Sequence, residues 1–245
     1  MKVRAVMFDL GYTLWDVDYS GEMEAYAQVR RRLIETLGET VPDAQTLRDA
    51  AAAVFLRETN EWQLEGKTEQ LPTEEVFRQG FAGLGLSVPE ALLRQMGDSI
   101  LAPGIRYTVD PETPAVLRSL KERGLRLAAV SNTYQSRAAL ARRLSEHGLW
   151  GYLDALVISS EVGLTKPHPA IFQAALEKLG VTATETVFVG DIVWADVLGA
   201  QALGMRAVLT HQYLQDDPGE SRPDLVINRL AEVVEYVDRL VAGTL

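Results

Sequence analysis

A small set of side chains able to bind or transfer a charged group recurs at one kind of position, just past the end of an apolar run. Asp9 follows VRAVMF and Ser131 with Asn132 follows LRLAAV. Lys166 lies in GLTKPHP beyond LDALVI, and Gly190 with Asp191 follows TVFV, with Asp196 a little further on. The types are complementary. Three carboxylates could hold a divalent cation, a lysine and a hydroxyl could grip phosphate oxygens, and Asp9, if exposed, could attack as a nucleophile. Singly, each has a plainer reading: a turn residue for Asp9, a helix N-cap for Asp191, an exposed helix face for Asp196 and a solvated loop charge for Lys166. In combination they read as a site.

For these residues to meet, the apolar runs must be parallel strands of one sheet, whose carboxyl ends share the edge where open α/β sheets bind ligands. The intervening segments have helical signals. Asp110 and Pro111 read as an N-cap and first helical residue, with Gly124 as the stop. Helices are expected over 135–147, from Pro169 to Leu179 before Gly180, and over Trp194 to Leu203 before Gly204; RAVLTH, a polar loop with Asp216, DLVI and a last helix complete the chain. This alternation predicts a doubly wound, mainly parallel, Rossmann-like α/β sheet covered on both faces.

Between the first two strands the pattern changes. Met23, Tyr26, Ala27, Leu33, Ile34 and Leu37 recur at helical spacing, as do Leu47, Ala51 and Val54, then Val76, Phe77, Phe81 and Leu84, then Leu92, Leu93, Met96 and Ile100. Gly38, Gly66, Pro72, Gly85 and Pro89 punctuate them. The expectation is a core of residues 1–16 and 105–245 split by an α-helical cap domain, 17–104, with hinges at Val17–Gly21 and Ala102–Tyr107. A hinged helical bundle over a sheet edge would act as a lid.

Composition narrows the chemistry. The 245 residues include no cysteine and three histidines, which excludes disulfides and thiol nucleophiles and leaves little for a zinc site. A metal would be held by oxygen, which suits magnesium. The net charge is −10, and the triplet Arg30, Arg31 and Arg32 falls on a helix as its solvated face, so no nucleic-acid partner is expected. No apolar run reaches the ~18 residues of a membrane span, and the N-terminus has no signal-peptide pattern. A soluble, cytoplasmic protein is expected; the sequence sets no oligomeric state.

With the motifs DLGYT, SNT, KP within GLTKPHP and GDIVWAD in this order around a helical insertion, the whole chain resembles the haloacid dehalogenase-like hydrolases, most of which are magnesium-dependent phosphatases. The resemblance implies hydrolysis of a small phosphorylated metabolite. Asp9 would attack phosphorus and form an aspartyl phosphate. Mg2+ would be held by Asp9, the Gly11 backbone carbonyl and Asp191, with Asp196 either reaching it through water or holding Lys166. Ser131 and Lys166 would grip the phosphate, helped by backbone N–H groups beyond Asn132. Gly190 would let the backbone turn closely.

One position departs from the pattern. Most phosphatases of the family carry an acid/base aspartate where Gly11 stands, and its loss forfeits about 10²-fold or more unless something replaces it. Asp16 or Asp18 could substitute, both equally readable as a solvated acidic turn, or the leaving group could need no proton, as in acyl, aryl or anomeric sugar phosphates. Haloacid dehalogenase chemistry needs neither acid nor metal, but the paired aspartates of GDIVWAD suit magnesium. A Schiff-base lysine would have only Lys67 in the insertion. An impaired, binding-only protein has no need of the whole set. Tyr12, Trp15, Tyr19, Trp62 and Trp194 read as packing or as pocket walls. His168 reads as a helix cap, and His147 and His211 have no catalytic role.

Overall fold

The computed structural model of the protein describes residues 2–38, 40–101 and 104–244, apart from the side chains of residues 99–101. The strands are β1 (Ala5–Phe8), β2 (Asp16–Asp18), β3 (Arg106–Thr108), β4 (Arg126–Ser131), β5 (Ala155–Ile158), β6 (Thr186–Gly190), β7 (Arg206–Thr210) and β8 (Leu225–Ile227). Six of them form one sheet in the order β5-β4-β1-β6-β7-β8, every neighbouring pair parallel.

The helices are α1 (Glu22–Leu37), α2 (Ala44–Glu65), α3 (Thr73–Ala82), α4 (Glu90–Gln95, continued to Leu101 as a π-helical turn), α5 (Thr113–Glu122), α6 (Arg137–Glu146), α7 (Ser159–Val162), α8 (Pro169–Leu179), α9 (Leu198–Ala202, preceded by a π-helical turn from Val193) and α10 (Glu232–Ala242).

Because strand side chains alternate between faces, the fully apolar strands feed two cores. Val6, Phe8, Leu127, Ala129, Val187 and Val189 pack with α5, α6 and α10. Ala5, Met7, Ala128, Val130 and Phe188 pack with α8 and α9. Each large apolar side chain so buried stabilises by roughly 1.5–3 kcal/mol. The sheet is thus the doubly wound one expected, and its polar carboxyl edge is fixed in place by a core on either side.

Helices α1 to α4 follow the expected breaks: Gly66 ends α2 in the left-handed conformation, and Pro72 and Pro89 stand at the N-caps of α3 and α4. Their apolar stripes meet in a third cluster built on Tyr26, Leu33, Leu47, Phe77, Phe81 and Leu93.

Some expectations are corrected. Met23, 40% exposed, lies outside this cluster because the stripe of α1 begins only at Ala25 and Tyr26. Asp110 does not cap α5, which starts at Thr113 after Glu112; its carboxylate instead accepts from the Glu112 N–H at 2.8 Å, closing a turn. The segments expected as hinges contain strands: β2 and β3 pair antiparallel, Val17 opposite Tyr107. Ala102 and Pro103 of the second segment lie outside the described residues. Just beyond this ribbon the connections cross at Gly21 and Gly104. A Cβ on Gly21 would stand 2.5 Å from the Gly104 carbonyl oxygen, so neither position has room for a side chain.

Of the arginine triplet, Arg31 and Arg32 are exposed with Glu24 and Glu35 as partners. Arg30 turns inward to the Pro42 carbonyl at 2.8 Å. No described helix is long and apolar enough to cross a membrane.

Candidate active site

The strand ends bring Asp9, Ser131, Lys166, Asp191 and Asp196 to one edge. Residues Leu10 to Trp15 coil tightly there, the Leu10 carbonyl accepting from the N–H groups of Leu14 at 2.9 Å and Trp15 at 3.3 Å. Trp15 anchors the coil: it is buried and packs on Tyr107 with ring centroids 4.8 Å apart. Tyr12 takes φ +53°, a left-handed backbone that non-glycine residues rarely adopt.

At the centre, Lys166 Nζ donates to Asp9 Oδ1 at 2.5 Å and to Asp196 Oδ1 at 2.6 Å. Asp196 Oδ2 accepts from the Ile192 N–H at 3.0 Å, so its oxygens are engaged by the lysine and by the loop that carries Asp191. Of the two roles open to Asp196, the geometry matches the holding of Lys166. Gly190 makes this possible, since any Cβ there would overlap the Asp196 carboxyl group; room for that side chain, rather than a close turn, is what the glycine supplies. Thr13 Oγ1 donates to Asp191 Oδ1 at 3.1 Å. Asp216, from the polar loop after β7, accepts from the Val193 N–H at 2.7 Å and steadies the segment beyond Asp191.

All four charges are withdrawn from solvent: Asp9 is 8% exposed, Lys166 and Asp191 2%, and Asp196 1%. Asp9 is therefore not the openly exposed carboxylate expected. Burial pushes Asp9 up to about 6; the Asp196 charge adds to this and Lys166 works against it. Burial, then the charges of Asp9 and Asp196, push Asp191 up to about 8, with Lys166 and the Thr13 hydroxyl opposing. For Lys166 burial disfavours the charge, and the carboxylates of Asp196 and Asp9 outweigh it, holding the ammonium above the ordinary lysine range.

Ser131 ends β4, buried at the same edge. Asn132 is placed otherwise than as a phosphate ligand through its amide. Its Nδ2 donates to the Lys166 carbonyl at 3.1 Å and its Oδ1 accepts from the Lys166 N–H at 2.7 Å, so this side chain sets the lysine's loop. Gly11 has space: a Cβ there would find Val17 Cγ2 at 3.7 Å and nothing nearer.

Neither proposed substitute acid is brought to the centre. Asp16 and Asp18 are exposed on β2. Asp18 closes a turn, accepting from the Ser20 N–H and hydroxyl, each at 2.7 Å, and those bonds hold it below the usual carboxylate range.

A divalent cation fits the donors present. Asp9 and Asp191 are buried carboxylates that repel one another when ionised, and a cation between them removes the repulsion. Among the described residues no three acidic or histidine side chains form a metal cage. Two carboxylates and a backbone carbonyl suit magnesium, which keeps part of its water.

The other singled-out residues are structural. His168 Nδ1 caps α8 by accepting from the Ala170 N–H at 3.1 Å, as expected. Trp62 stacks on Tyr134 with centroids 5.9 Å apart. Lys67 is exposed and paired with Glu61. His147 lies beside Trp15, and His211 Nε2 contacts the Asp216 carbonyl.

Comparison with known proteins places this geometry. A family model of haloacid dehalogenase-like hydrolases matches residues 3–204. A phosphoserine phosphatase of Thermus thermophilus is 35% identical over 160 residues, 65% of this chain and 63% of that one. A glyceraldehyde 3-phosphate phosphatase of Methanocaldococcus jannaschii is 35% identical over 132 residues, 53% and 57% of the respective chains. The chain thus spans less than two thirds of either relative. Among solved structures, a phosphatase from Thermococcus onnurineus matches at 26% identity over 98% of both chains with a TM-score of 0.63. A 2-haloacid dehalogenase from Pseudomonas syringae, at 22% identity over 97% of this chain and 99% of that one, has a TM-score of 0.68 and shares the fold.

Proposed function

The chain belongs to the haloacid dehalogenase-like hydrolases, and on that premise we propose that it is a magnesium-dependent phosphomonoester hydrolase acting on a small phosphorylated metabolite. The observation that carries this reading is the placement of Lys166 Nζ between Asp9 and Asp196 with Asp191 beside them. Relatives named as phosphatases of phosphoserine, glyceraldehyde 3-phosphate and phosphoglycolate support the substrate class. Residues 17–104 are read as a cap over the core of 1–16 and 105–245.

Lys166 fixes the Asp9 carboxylate through Oδ1, which leaves Oδ2 to attack phosphorus. The Asp9–phosphorus bond forms as the bond to the leaving oxygen breaks, and water then cleaves the aspartyl phosphate to inorganic phosphate and free carboxylate. Ser131 and Lys166 bind equatorial phosphate oxygens. Asp9, the Gly11 carbonyl and Asp191 would hold Mg2+, which when bound offsets charge between nucleophile and phosphate. Asp196 and Asn132 act through Lys166, one on its ammonium and one on its backbone. With no side chain at Gly11, the leaving group takes its proton from solvent, which favours leaving groups that need little help.

The test is release of phosphate from an aryl phosphate with and without Mg2+, beside Asp9→Asn. Release that requires the metal and falls by about 10³-fold or more in the variant is expected. Metal-independent or variant-insensitive release defeats the reading, and halide release from a 2-haloacid without metal would replace it with dehalogenation. Since Gly11 has room, Gly11→Asp should raise turnover of alkyl phosphates by about 10²-fold. Unchanged alkyl turnover would show that the proton already has another source.

A further inference from the structure

Between α2 and α3 the chain leaves the helical layer and lies along the two loops that carry the candidate site. Gln70, 8% exposed, is bonded to both loops. Its backbone N–H donates to the Gly163 carbonyl at 3.0 Å, just before Lys166. Its side-chain Nε2 donates to the Thr133 carbonyl at 2.9 Å, just after Ser131 and Asn132.

Neighbouring bonds extend this strap. The Thr68 carbonyl accepts from the Thr165 N–H at 2.8 Å and from its hydroxyl at 3.2 Å. Glu69 pairs with Leu164 as an antiparallel bridge, and Thr73 Oγ1 donates to the Tyr134 carbonyl at 2.6 Å.

A loop leaving a strand end is held by whatever satisfies its backbone groups. Here the Thr133 and Tyr134 carbonyls take donors from the helical layer. The same layer supplies both the acceptor for the Thr165 N–H and the donor to the Gly163 carbonyl, on the lysine's loop. Asn132 then joins the two loops to each other through the Lys166 backbone.

We propose that Gln70 is a positioning residue, which holds Ser131 and Lys166 in register for phosphate through the backbones of Thr133 and Gly163 while the helical layer is seated on the sheet edge. The inference rests on the phosphohydrolase reading for its substrate and on these bonds for its geometry. Glutamine suits the position because it reaches the Thr133 carbonyl with a donor; glutamate would set an acceptor against an acceptor, and methionine keeps the length with no donor.

The experiment compares the full-length wild type with Gln70→Met, Thr73→Val and a remote control, Thr36→Ala, which removes a hydroxyl bond to the Arg32 carbonyl on α1. For each, kcat and KM for an aryl phosphate with Mg2+ and the inhibition constant of inorganic phosphate are measured, together with amide hydrogen exchange across 131–136 and 163–167. Gln70→Met should raise KM and the phosphate inhibition constant together by about 3- to 10-fold, the worth of one hydrogen bond, and speed exchange in both loops. Thr73→Val should do the same more weakly, and Thr36→Ala should do neither. A merely destabilised fold lowers the active fraction, and so apparent kcat, while leaving KM and the inhibition constant unmoved. Gln70→Met with both constants within twofold of wild type, or with unchanged exchange, overturns the proposal. A wild type without metal-dependent activity would defeat the phosphohydrolase reading instead, and the exchange data would still judge the strap.

Discussion

The sheet edge and the helical layer both carry ion pairs, but they differ in how much water reaches them. At the edge, the side chains of Lys166, Asp9 and Asp196 are 3%, 11% and 1% exposed and lie within 2.6 Å of one another. On the helices, Arg48 meets Glu22 at 3.1 Å with 39% and 32% of the side chains exposed, and Arg94 meets Glu90 at 3.1 Å with 67% and 47% exposed. Exposed pairs contribute about 0.2–0.5 kcal/mol each, because water solvates the separated charges nearly as well. Removing one member of a buried set strands the others and costs about 3–5 kcal/mol. The fold thus concentrates charge where it is most costly to maintain, and that excess marks the edge as the place of chemistry.

Lys166→Met should give the largest effect on stability, about 3–5 kcal/mol in denaturant unfolding, because Asp9 and Asp196 would face each other without a cation. A loss under about 1 kcal/mol would erase the contrast between the two regions. Gly190→Ala comes next: its methyl group displaces the Asp196 carboxyl group, so a loss of about 1–3 kcal/mol in the same measurement should accompany a fall in turnover.

Asp154 is an intermediate case, half open to solvent but bonded to the Leu127 N–H at 2.8 Å and to Lys121 at 2.6 Å. Burial raises its carboxyl pKa, but those two donors outweigh burial and hold it below the usual range. A depressed folded-state value means stability present above the ordinary carboxylate range and lost as pH falls through the folded value. Asp154→Asn should therefore cost stability at neutral pH, with the difference shrinking as acid protonates the wild-type group; unfolding curves across the acid limb check this. Arg94→Ala should give the least, at most about 0.5 kcal/mol by melting, and a larger loss would show that the helical layer also depends on its charges.

How much of this was legible in the sequence depended on what each signal reports. Asp9, Lys166, Asp191 and Asp196 could be placed together because parallel topology sends every strand end to one edge, whatever the side chains do next. What they do next was not legible. Asn132 turning both ends of its amide to the Lys166 backbone, and Gly190 giving its space to Asp196, depend on which donor reaches which acceptor, and periodicity carries no such information. The three-residue strands β2 and β3 are too short to show a period, and DVD reads as an acidic loop. Thr13 lay inside a motif already singled out and could have been suspected for its hydroxyl. Gln70 gave no signal at all: it is a polar residue between helices whose partners lie far along the chain.

At Gly21 and Gly104 the outgoing and returning strands of backbone touch with nothing between them. Contact on that scale blocks one from sliding past the other and leaves turning about the point of touch. The four helices are then a lever on a fulcrum at one end, and a small rotation there becomes a large sweep at the far end. Adding one methyl group at the fulcrum would tilt the whole arm, a long way from where it was added.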